Sequence, residues 1–218
     1  MNVLTALNEL LKRPDDTIGR AEERGPSHSV ALFTGALACY LVYGAAAGLF
    51  QGGWTVAIAL FKVPLIIIAS LLLCVPSLYV FTTLAGADYS PRAFALALAG
   101  FSGIAGLILL ALMPVVWLFT VSSISLLFVT WMHVFAWIVA LIFAAQFLSR
   151  AATKAGTAIA FWIILLFFVS LQMTTYVRPV LWHNAGEPLF KQEKESFFSH
   201  LHQVSVWKPA EAVKKVNR

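Results

Sequence analysis

The longest uncharged stretch of the chain decides its fold. Between Arg92 and Arg150 the sequence reads AFALALAGFSGIAGLILLALMPVVWLFTVSSISLLFVTWMHVFAWIVALIFAAQFLS, without a single Asp, Glu, Lys or Arg. The hydrocarbon core of a bilayer is about 30 Å thick and is crossed by roughly 20 apolar helical residues. The stretch is therefore long enough for two transmembrane helices, and the polar cluster from Thr120 to Ser123 divides them.

Three further uncharged runs each have room for one more span. They lie between Gly25 and Lys62, between Lys62 and Asp88, and between Lys154 and Arg178. Of the 218 residues 60% are hydrophobic and 11% charged, and the mean hydropathy is +0.84, whereas a soluble domain has about 25% charged residues. The sequence predicts an all-α, polytopic transmembrane bundle of five spans, at about 29–50, 64–84, 92–119, 124–147 and 156–177.

The second span could start at Trp54 or near Pro64. From Trp54 to Leu84 a continuous helix would be about 46 Å long at 1.5 Å per residue, which exceeds what one untilted span requires. Pro64 lacks a backbone donor and suits the first turn of a helix. We therefore predict that the span begins near Pro64 and that Trp54 to Phe61 is interfacial.

Polar tails flank the bundle, which occupies residues 29–182. In the N-terminal tail, 1–28, apolar residues recur at helical spacing before Pro14, which predicts a short interfacial helix. In the basic C-terminal tail, 183–218, Phe190, Phe197 and Leu201 recur in the same way among Lys and Glu, which predicts a second amphipathic helix. The lipid bilayer is thus the first expected partner.

The distribution of basic residues predicts the orientation. Arg92, Arg150 and Lys154 follow the second and fourth spans, and only Lys62 follows the first or third. Short cytoplasmic loops carry the excess of Lys and Arg, so we expect a cytoplasmic N-terminus. Five spans then place the basic C-terminal tail on the opposite side, which the same rule disfavours. The side of that tail is left open.

Small residues mark the faces where helices are expected to approach closely. The first span carries Gly44 and Gly48 four residues apart, and the third carries Ala99, Gly103 and Gly106. Small side chains let the backbones of two membrane helices come together. These faces predict helix packing, either within the bundle or against other membrane subunits or a second copy of the chain.

Two ionisable residues lie inside apolar segments. Lys62 is a functional candidate because ionisable groups in a membrane usually have a role. Its alternative is to extend its ammonium group to the interface. His133 is either a hydrogen-bonded packing residue or a proton relay or single axial ligand. A metal or haem site would require further ligands at the same depth, and none is evident.

Polar residues at two helix ends are the remaining candidates. Asp88 and Arg92 form either a charged cluster or, with Ser90, the cap of the helix that begins at Pro91. At the end of the fifth span, polar residues follow one another from Gln172 through Tyr176 to Arg178. Polar side chains at that depth usually face the interior of a bundle or a cavity. They indicate either hydrogen bonds between helices or a pathway.

The sequence lacks the motifs of the common catalytic sites. It has no phosphate-binding Gly-Lys loop, no His-Glu-x-x-His and no paired-Cys motif, and spans two to five contain no carboxylate. The basic residues lie in tails and at helix ends, which favours membrane anchoring over nucleic acid. We expect neither an enzyme nor a cofactor. A scaffold, assembly or accessory subunit of a membrane complex is the first hypothesis, and a transporter, channel or lipid-handling protein with a path along spans 2, 3 and 5 is the alternative.

The segment from Pro76 to Pro114 combines an apolar helix, Gly86, the pair Tyr89-Ser90, an Ala/Gly-rich helix and a final Leu-Met-Pro. In this it resembles the central helices of the Yip family of five-span membrane proteins. The resemblance implies a non-enzymatic bundle with a cytoplasmic N-terminal tail, a role in membrane trafficking or organisation, and protein partners inside the bilayer. It implies no catalytic residue.

Overall fold

The computed structural model describes residues 2–13, 26–87, 90–151 and 155–177. In these ranges the chain forms six α-helices and no strand, so the predicted all-helical class is confirmed. The helices are α1 Val3–Lys12, α2 Pro26–Gly48, α3 Trp54–Leu84, α4 Pro91–Ser122, α5 Leu126–Ala151 and α6 Gly156–Tyr176. The helix predicted in the C-terminal tail lies outside the described residues.

Five of these helices, α2 to α6, are long and apolar enough to cross a membrane. Their outward faces carry large apolar side chains, for example Leu72, Phe135 and Phe161, each more than 60% exposed. A surface of this kind is better solvated by lipid tails than by water. The fold is therefore consistent with a multi-pass membrane protein in contact with the bilayer.

The second helix of the five starts earlier than the sequence predicts. It begins at Trp54 and continues through Pro64 and Pro76 to Leu84, so residues 54–61 form its first two turns and Pro64 does not start it. A proline is tolerated inside a membrane helix because neighbouring helices restore the lost contacts. Here Val63 packs against Gly44 of α2, and Pro64 is buried.

Local signals fix the turns between the helices. Gly52 and Gly53, between α2 and α3, and Gly86, after α3, all have positive φ values, from 58° to 78°, a conformation that glycine adopts without a steric penalty. At the start of α4 the Ser90 hydroxyl accepts a hydrogen bond from the Ala93 amide at 3.2 Å. The predicted N-terminal cap is thus present.

The five long helices form a closed ring. Around it α2 contacts α3, α3 contacts α6, α6 contacts α5, α5 contacts α4, and α4 returns to α2. Each helix therefore turns one face toward a common centre. This order differs from the order along the chain, since α6 lies between α3 and α5.

Glycines bring α2 and α3 into backbone contact, and we call this the α2–α3 seam. A Cβ placed on Gly44 would lie 2.7 Å from the Ala59 carbonyl oxygen, and one on Gly48 would lie 2.6 Å from the Val56 Cα. Neither distance is open to a real side chain. Both glycines thus lie where two helix backbones meet, as their spacing predicts.

The N-terminal helix α1 packs on the outside of the ring, against α2 and α4. A Cβ placed on Gly35 of α2 would lie 2.8 Å from the Leu7 Cδ1, and one on Gly103 of α4 would lie 2.9 Å from the Leu10 Cδ2. Leu10 is fully buried while Leu11 is 59% exposed. The predicted helix exists, and its buried face rests on protein.

Candidate functional site

A cavity of about 160 Å³ lies at the centre of the ring. All five long helices contribute to its wall, which is apolar where it faces the cavity, and it is partly open. Its lining consists of Tyr43, Ala47, Val63, Ile66, Ile67, Leu109, Thr130, His133, Val134, Trp137, Ser170, Leu171 and Thr174.

A hydrogen bond between side chains crosses one side of the cavity. The Tyr43 hydroxyl lies 2.8 Å from Nδ1 of His133. The two rings meet edge to face, with centroids 5.5 Å apart and planes at 88°. The residues are ninety positions apart in sequence, on α2 and α5, so this contact links two helices that are not adjacent in the chain. The bond agrees with the hydrogen-bonded packing alternative for His133, and the role of this residue stays a prediction.

Three polar atoms on the cavity residues have no hydrogen-bond partner. They are Nε2 of His133, Nε1 of Trp137 and Oγ of Ser170, and they are the only buried side-chain nitrogen or oxygen atoms in residues 2–13, 26–87, 90–151 and 155–177 that lack one. Leaving a buried polar group unpaired costs about 1–3 kcal/mol. All three belong to the wall of one cavity, which makes this wall different from the rest of the interior.

The neighbouring polar contacts of the bundle are satisfied. Tyr40, one turn before Tyr43 on α2, donates its hydroxyl to the Ser102 carbonyl oxygen at 2.8 Å and lies 3.1 Å from the Ser102 hydroxyl. On α6, the Trp162 Nε1 donates to the Cys74 carbonyl oxygen at 2.7 Å. Among the described residues, the buried side-chain atoms without a partner thus all belong to residues that line the cavity.

The polar end of the fifth span does not act as one surface. Ser170 and Thr174 line the cavity, whereas Gln172 and Tyr176 are exposed on the outside of α6. Successive helical residues turn by about 100°, so residues four apart share a face and residues two apart do not. The expectation that Gln172 and Tyr176 face the interior is therefore corrected by the helical period.

The charged candidates that the structure describes, Lys62 and Arg92, are not part of the cavity wall. Lys62 is on α3 with 6% of its surface exposed, and it is absent from the cavity wall. Arg92 is exposed in the first turn of α4. Asp88 and Arg178 lie outside the described residues. Of the predicted pathway residues that the structure describes, His133 alone lines the cavity.

The small residues of α4 face other parts of the same chain. Ala99 is fully buried in the cluster that includes Leu7 and Leu10 of α1. Gly103 meets Leu10, and a Cβ on Gly106 would lie 3.3 Å from the backbone of Ala36 on α2. These positions thus pack closely, as their small side chains predict. Their use is intramolecular, so these faces are not free for another subunit.

Sequence reasoning missed Tyr43, Trp137 and Ser170. Each is one of several weakly polar side chains scattered along an apolar helix, and no local pattern sets it apart from the others. One signal was present: His133 and Trp137 are four residues apart and share a helical face. In the described part of the chain no three His, Cys, Asp or Glu side chains come close enough to hold a metal ion.

No family model, no curated protein and no solved structure matches this chain. Membership of the Yip family therefore stays a prediction from the sequence.

Proposed function

We propose that this chain is a non-enzymatic membrane protein that binds a small apolar molecule in its central cavity. Of the functions that the sequence suggests, lipid handling is the nearest to this one. The observation that supports the proposal is an apolar cavity between the helices, whose wall includes all three residues of the described interior that carry an unpartnered polar atom. Ligand sites in helical bundles commonly lie between the helices and combine an apolar wall with a few polar groups.

The energetics of an empty cavity support an occupant. Cavity volume costs about 24 cal/mol per Å³ in enclosed engineered cores, so roughly 4 kcal/mol is an upper bound for about 160 Å³ of space that is partly open. That is a large part of the 5–15 kcal/mol by which a typical protein is stable, as an order of magnitude. A bound molecule that fills the space regains the lost contacts.

Water is a poor occupant of this space. A buried water typically needs two to four polar partners, and the wall that faces the cavity is apolar. Apolar cavities of this kind stay dry and take up apolar molecules. The chemistry of the wall thus favours an apolar ligand that is dissolved in the surrounding bilayer.

The wall also disfavours an ion pathway. None of the lining residues is Asp, Glu, Lys or Arg, and membrane pathways for ions usually present charged or strongly polar groups. Among transporter, channel and lipid-handling functions, the last fits this wall best.

One argument for the scaffold hypothesis no longer holds. It rested in part on small-residue faces, and those faces pack against helices of the same chain. Partner subunits, self-association and a Yip-like role in membrane organisation remain predictions. Copurification from mild detergent tests them, and a monomer without any partner would count against them.

The binding proposal can be tested with fluorobenzene and ¹⁹F NMR on the protein in lipid nanodiscs, with empty nanodiscs as the background. The wild type should show saturable binding. Ala47→Leu fills the cavity and should abolish it, whereas Ala160→Leu makes the same change on the exposed face of α6 and should not. Thr174→Leu, from another part of the wall, should act like Ala47→Leu.

Two results would overturn the proposal. One is the absence of saturable binding to the wild type. The other is equal binding to the wild type, to Ala47→Leu and to Thr174→Leu, provided that these variants retain the melting temperature of the folded protein.

A further inference from the structure

We infer that the ligand of the central cavity is the end of a hydrocarbon chain of a bilayer lipid, and that this chain enters sideways through a gap between α5 and α6. The inference rests on the proposed function, because it takes the cavity to be a binding site, and it names the ligand and its route. It follows from the way in which the two helices separate beside the cavity.

Helices α5 and α6 pack together where α5 ends and α6 begins. Their buried side chains belong there to one cluster, which contains Leu141, Ala144 and Leu148 of α5 and Ala155, Ile159, Trp162 and Leu166 of α6. In this half of the bundle the two helices are therefore joined by a filled core.

The same helical faces line the cavity in the other half. On α5, Val134 and Trp137 line the cavity and precede Leu141 by seven and four residues. On α6, Ser170 lines it and follows Leu166 by four. Residues at these spacings share one face of a helix. The faces that meet in the first half thus border the cavity in the second, because the two helices have separated there.

Helix α6 takes no part in the core beside the cavity. The buried cluster at this level contains residues of α2, α3, α4 and α5, and none of the described residues of α6. The first turns of α5 contact α2 and α4 instead, through the bond of His133 to Tyr43 and the edge-to-face contact of Phe128 with Phe119. The gap between α5 and α6 is therefore the side on which the cavity opens.

This gap opens to the hydrocarbon of the bilayer. Val134 and Trp137 are half-buried, and Ile138, which follows them, is 37% exposed. Trp137 is the twelfth of the 26 residues of α5, so it lies near the middle of a span that crosses the hydrocarbon core. The methyl ends of lipid chains also lie in the middle of the bilayer. A chain end is thus the group that meets the gap.

The wall fits a hydrocarbon chain better than a polar group. The surface that it presents to the cavity is apolar, and the unpartnered atoms of His133, Trp137 and Ser170 are buried beneath that surface. A ligand with a polar atom would leave that atom without a hydrogen bond, which is unfavourable. A saturated chain has no such atom.

The volume sets how much of the chain is bound. An engineered apolar cavity of about 150 Å³ takes up benzene, and this cavity has about 160 Å³. It therefore holds about six carbon atoms, which is the end of a chain and not a whole lipid. Because the cavity is partly open, the rest of the chain can extend through the gap. Lipid chains are also the most abundant apolar groups around the protein, so mass action favours them.

The test locates the chain with a photoreactive phosphatidylcholine that carries a diazirine near the methyl end of one chain. The protein is irradiated in nanodiscs that contain a small fraction of this lipid, and the adducts are located by tandem mass spectrometry. We expect adducts on Ile67 and Leu171, two buried residues of the cavity wall, and on Phe161, which faces the lipid. A lipid with the diazirine beside the ester should label neither wall residue.

Three comparisons test whether the chain occupies the cavity. Ala47→Leu fills the cavity and should lower the adducts on Ile67 and Leu171 about tenfold relative to the adduct on Phe161. Ala160→Leu makes the same change on the exposed face of α6 and should leave the adducts unchanged. Excess fluorobenzene should act like Ala47→Leu, because it competes for the same space.

The route is tested with a lipid whose diazirine is at the middle of the chain. It should label Val134 and Ile138, which lie on the α5 side of the gap. Adducts at other places, from a chain whose end labels the wall, would overturn the gap as the route. Stronger labelling of the wall by a water-soluble diazirine than by the chain end would overturn entry from the bilayer.

The remaining outcomes separate this inference from the proposed function. Saturable binding of fluorobenzene without chain adducts on the wall would overturn the lipid chain as the ligand and leave the binding function. Wall adducts that persist in both Ala47→Leu and Thr174→Leu, with the melting temperature retained, would show that the chain lies outside the cavity. Absence of both fluorobenzene binding and chain adducts would overturn the binding function and this inference with it.

Discussion

The α2–α3 seam and the central cavity are formed by neighbouring residues of one helix, yet they are packed in opposite ways. Gly44 and Gly48 bring α2 to within backbone contact of α3. Tyr43 and Ala47, each one position earlier, line a void. The difference shows that the side chains at facing positions, and not the course of the helices, decide where the bundle is filled.

The two regions also differ in the polar side chains that they contain. At the seam the contacts are made by backbone and small apolar atoms. At the cavity, aromatic and hydroxyl side chains are present, and three of them have an atom that lacks a partner. The seam leaves no space for a ligand, whereas the proposed ligand would fill the cavity. Substitutions in the two regions should therefore change stability in opposite directions.

The largest effect is expected at the seam. Gly48→Ala places a Cβ 2.6 Å from the Val56 Cα, and forcing the helices apart should destabilise the protein by about 3 kcal/mol. Gly156→Ala has no neighbour within 4 Å of its Cβ and should be neutral or stabilising by up to about 1 kcal/mol. Unfolding in mixed micelles by SDS titration measures both. Equal stability of the two variants would show that the seam is not closely packed.

The packing of α1 on the ring offers the next comparison. Leu10→Ala removes a fully buried side chain and should weaken the packing of α1 by about 2–3 kcal/mol, whereas Leu11→Ala removes one that is 59% exposed and should have little effect. Hydrogen exchange of residues 3–12 reports the change. Similar protection of α1 in both variants would contradict its burial against Gly103.

Trp162 and Trp137 differ in whether the indole N–H has a hydrogen-bond acceptor. Trp162→Phe loses the bond to the Cys74 carbonyl and some packing against Phe101, and it should cost about 2 kcal/mol. Trp137→Phe loses no hydrogen bond and should cost less than about 1 kcal/mol. Both are measured by SDS titration without added ligand. A greater cost for Trp137→Phe would mean that its Nε1 has a partner.

The smallest effects are expected from two serines that are both 3% exposed. Ser102→Ala removes the hydroxyl that lies 3.1 Å from Tyr40 and should destabilise the protein by about 0.5–1 kcal/mol. Ser170→Ala removes a hydroxyl that has no partner and should stabilise the ligand-free protein by a similar amount, about 1 kcal/mol. SDS titration again measures both, and the same sign for the two would show that the cavity does not differ from the rest of the core.

The sequence predicts the number and position of the long helices well because charge is excluded from hydrocarbon. Four of the five predicted spans agree with the helices to within a few residues. The exception is α3, which begins at Trp54 and not near Pro64. The preference of proline for the first turn of a helix does not decide where this helix starts. In a bundle, neighbouring helices compensate for the missing donor, and the local sequence does not contain that information.

The cavity could not be predicted from local patterns. Tyr43 and His133 are ninety residues apart, and only the order of helices around the ring brings them together. The prediction that Gln172 and Tyr176 face inward assumes that all polar residues at this helix end lie on one face. Because the helix turns by about 100° per residue, Ser170 and Thr174 line the cavity instead, and Gln172 and Tyr176 are exposed. The sequence indicates how deep in the membrane a polar residue lies. Whether its side chain faces the bundle interior or the lipid depends on how the five helices are arranged in the ring.

The unequal lengths of the helices have a consequence for the surrounding lipid. Helices α3 and α4 contain 31 and 32 residues, against 23 and 21 in α2 and α6, so at 1.5 Å per residue they are longer by roughly 12–16 Å. Long apolar helices tilt or thicken the adjacent leaflets, at a modest cost per ångström of mismatch. In the ring α3 and α4 lie on either side of the shorter α2, so the apolar height of the bundle changes around its perimeter. A thick, sterol-rich bilayer would accommodate the two long helices with less distortion than a thin one.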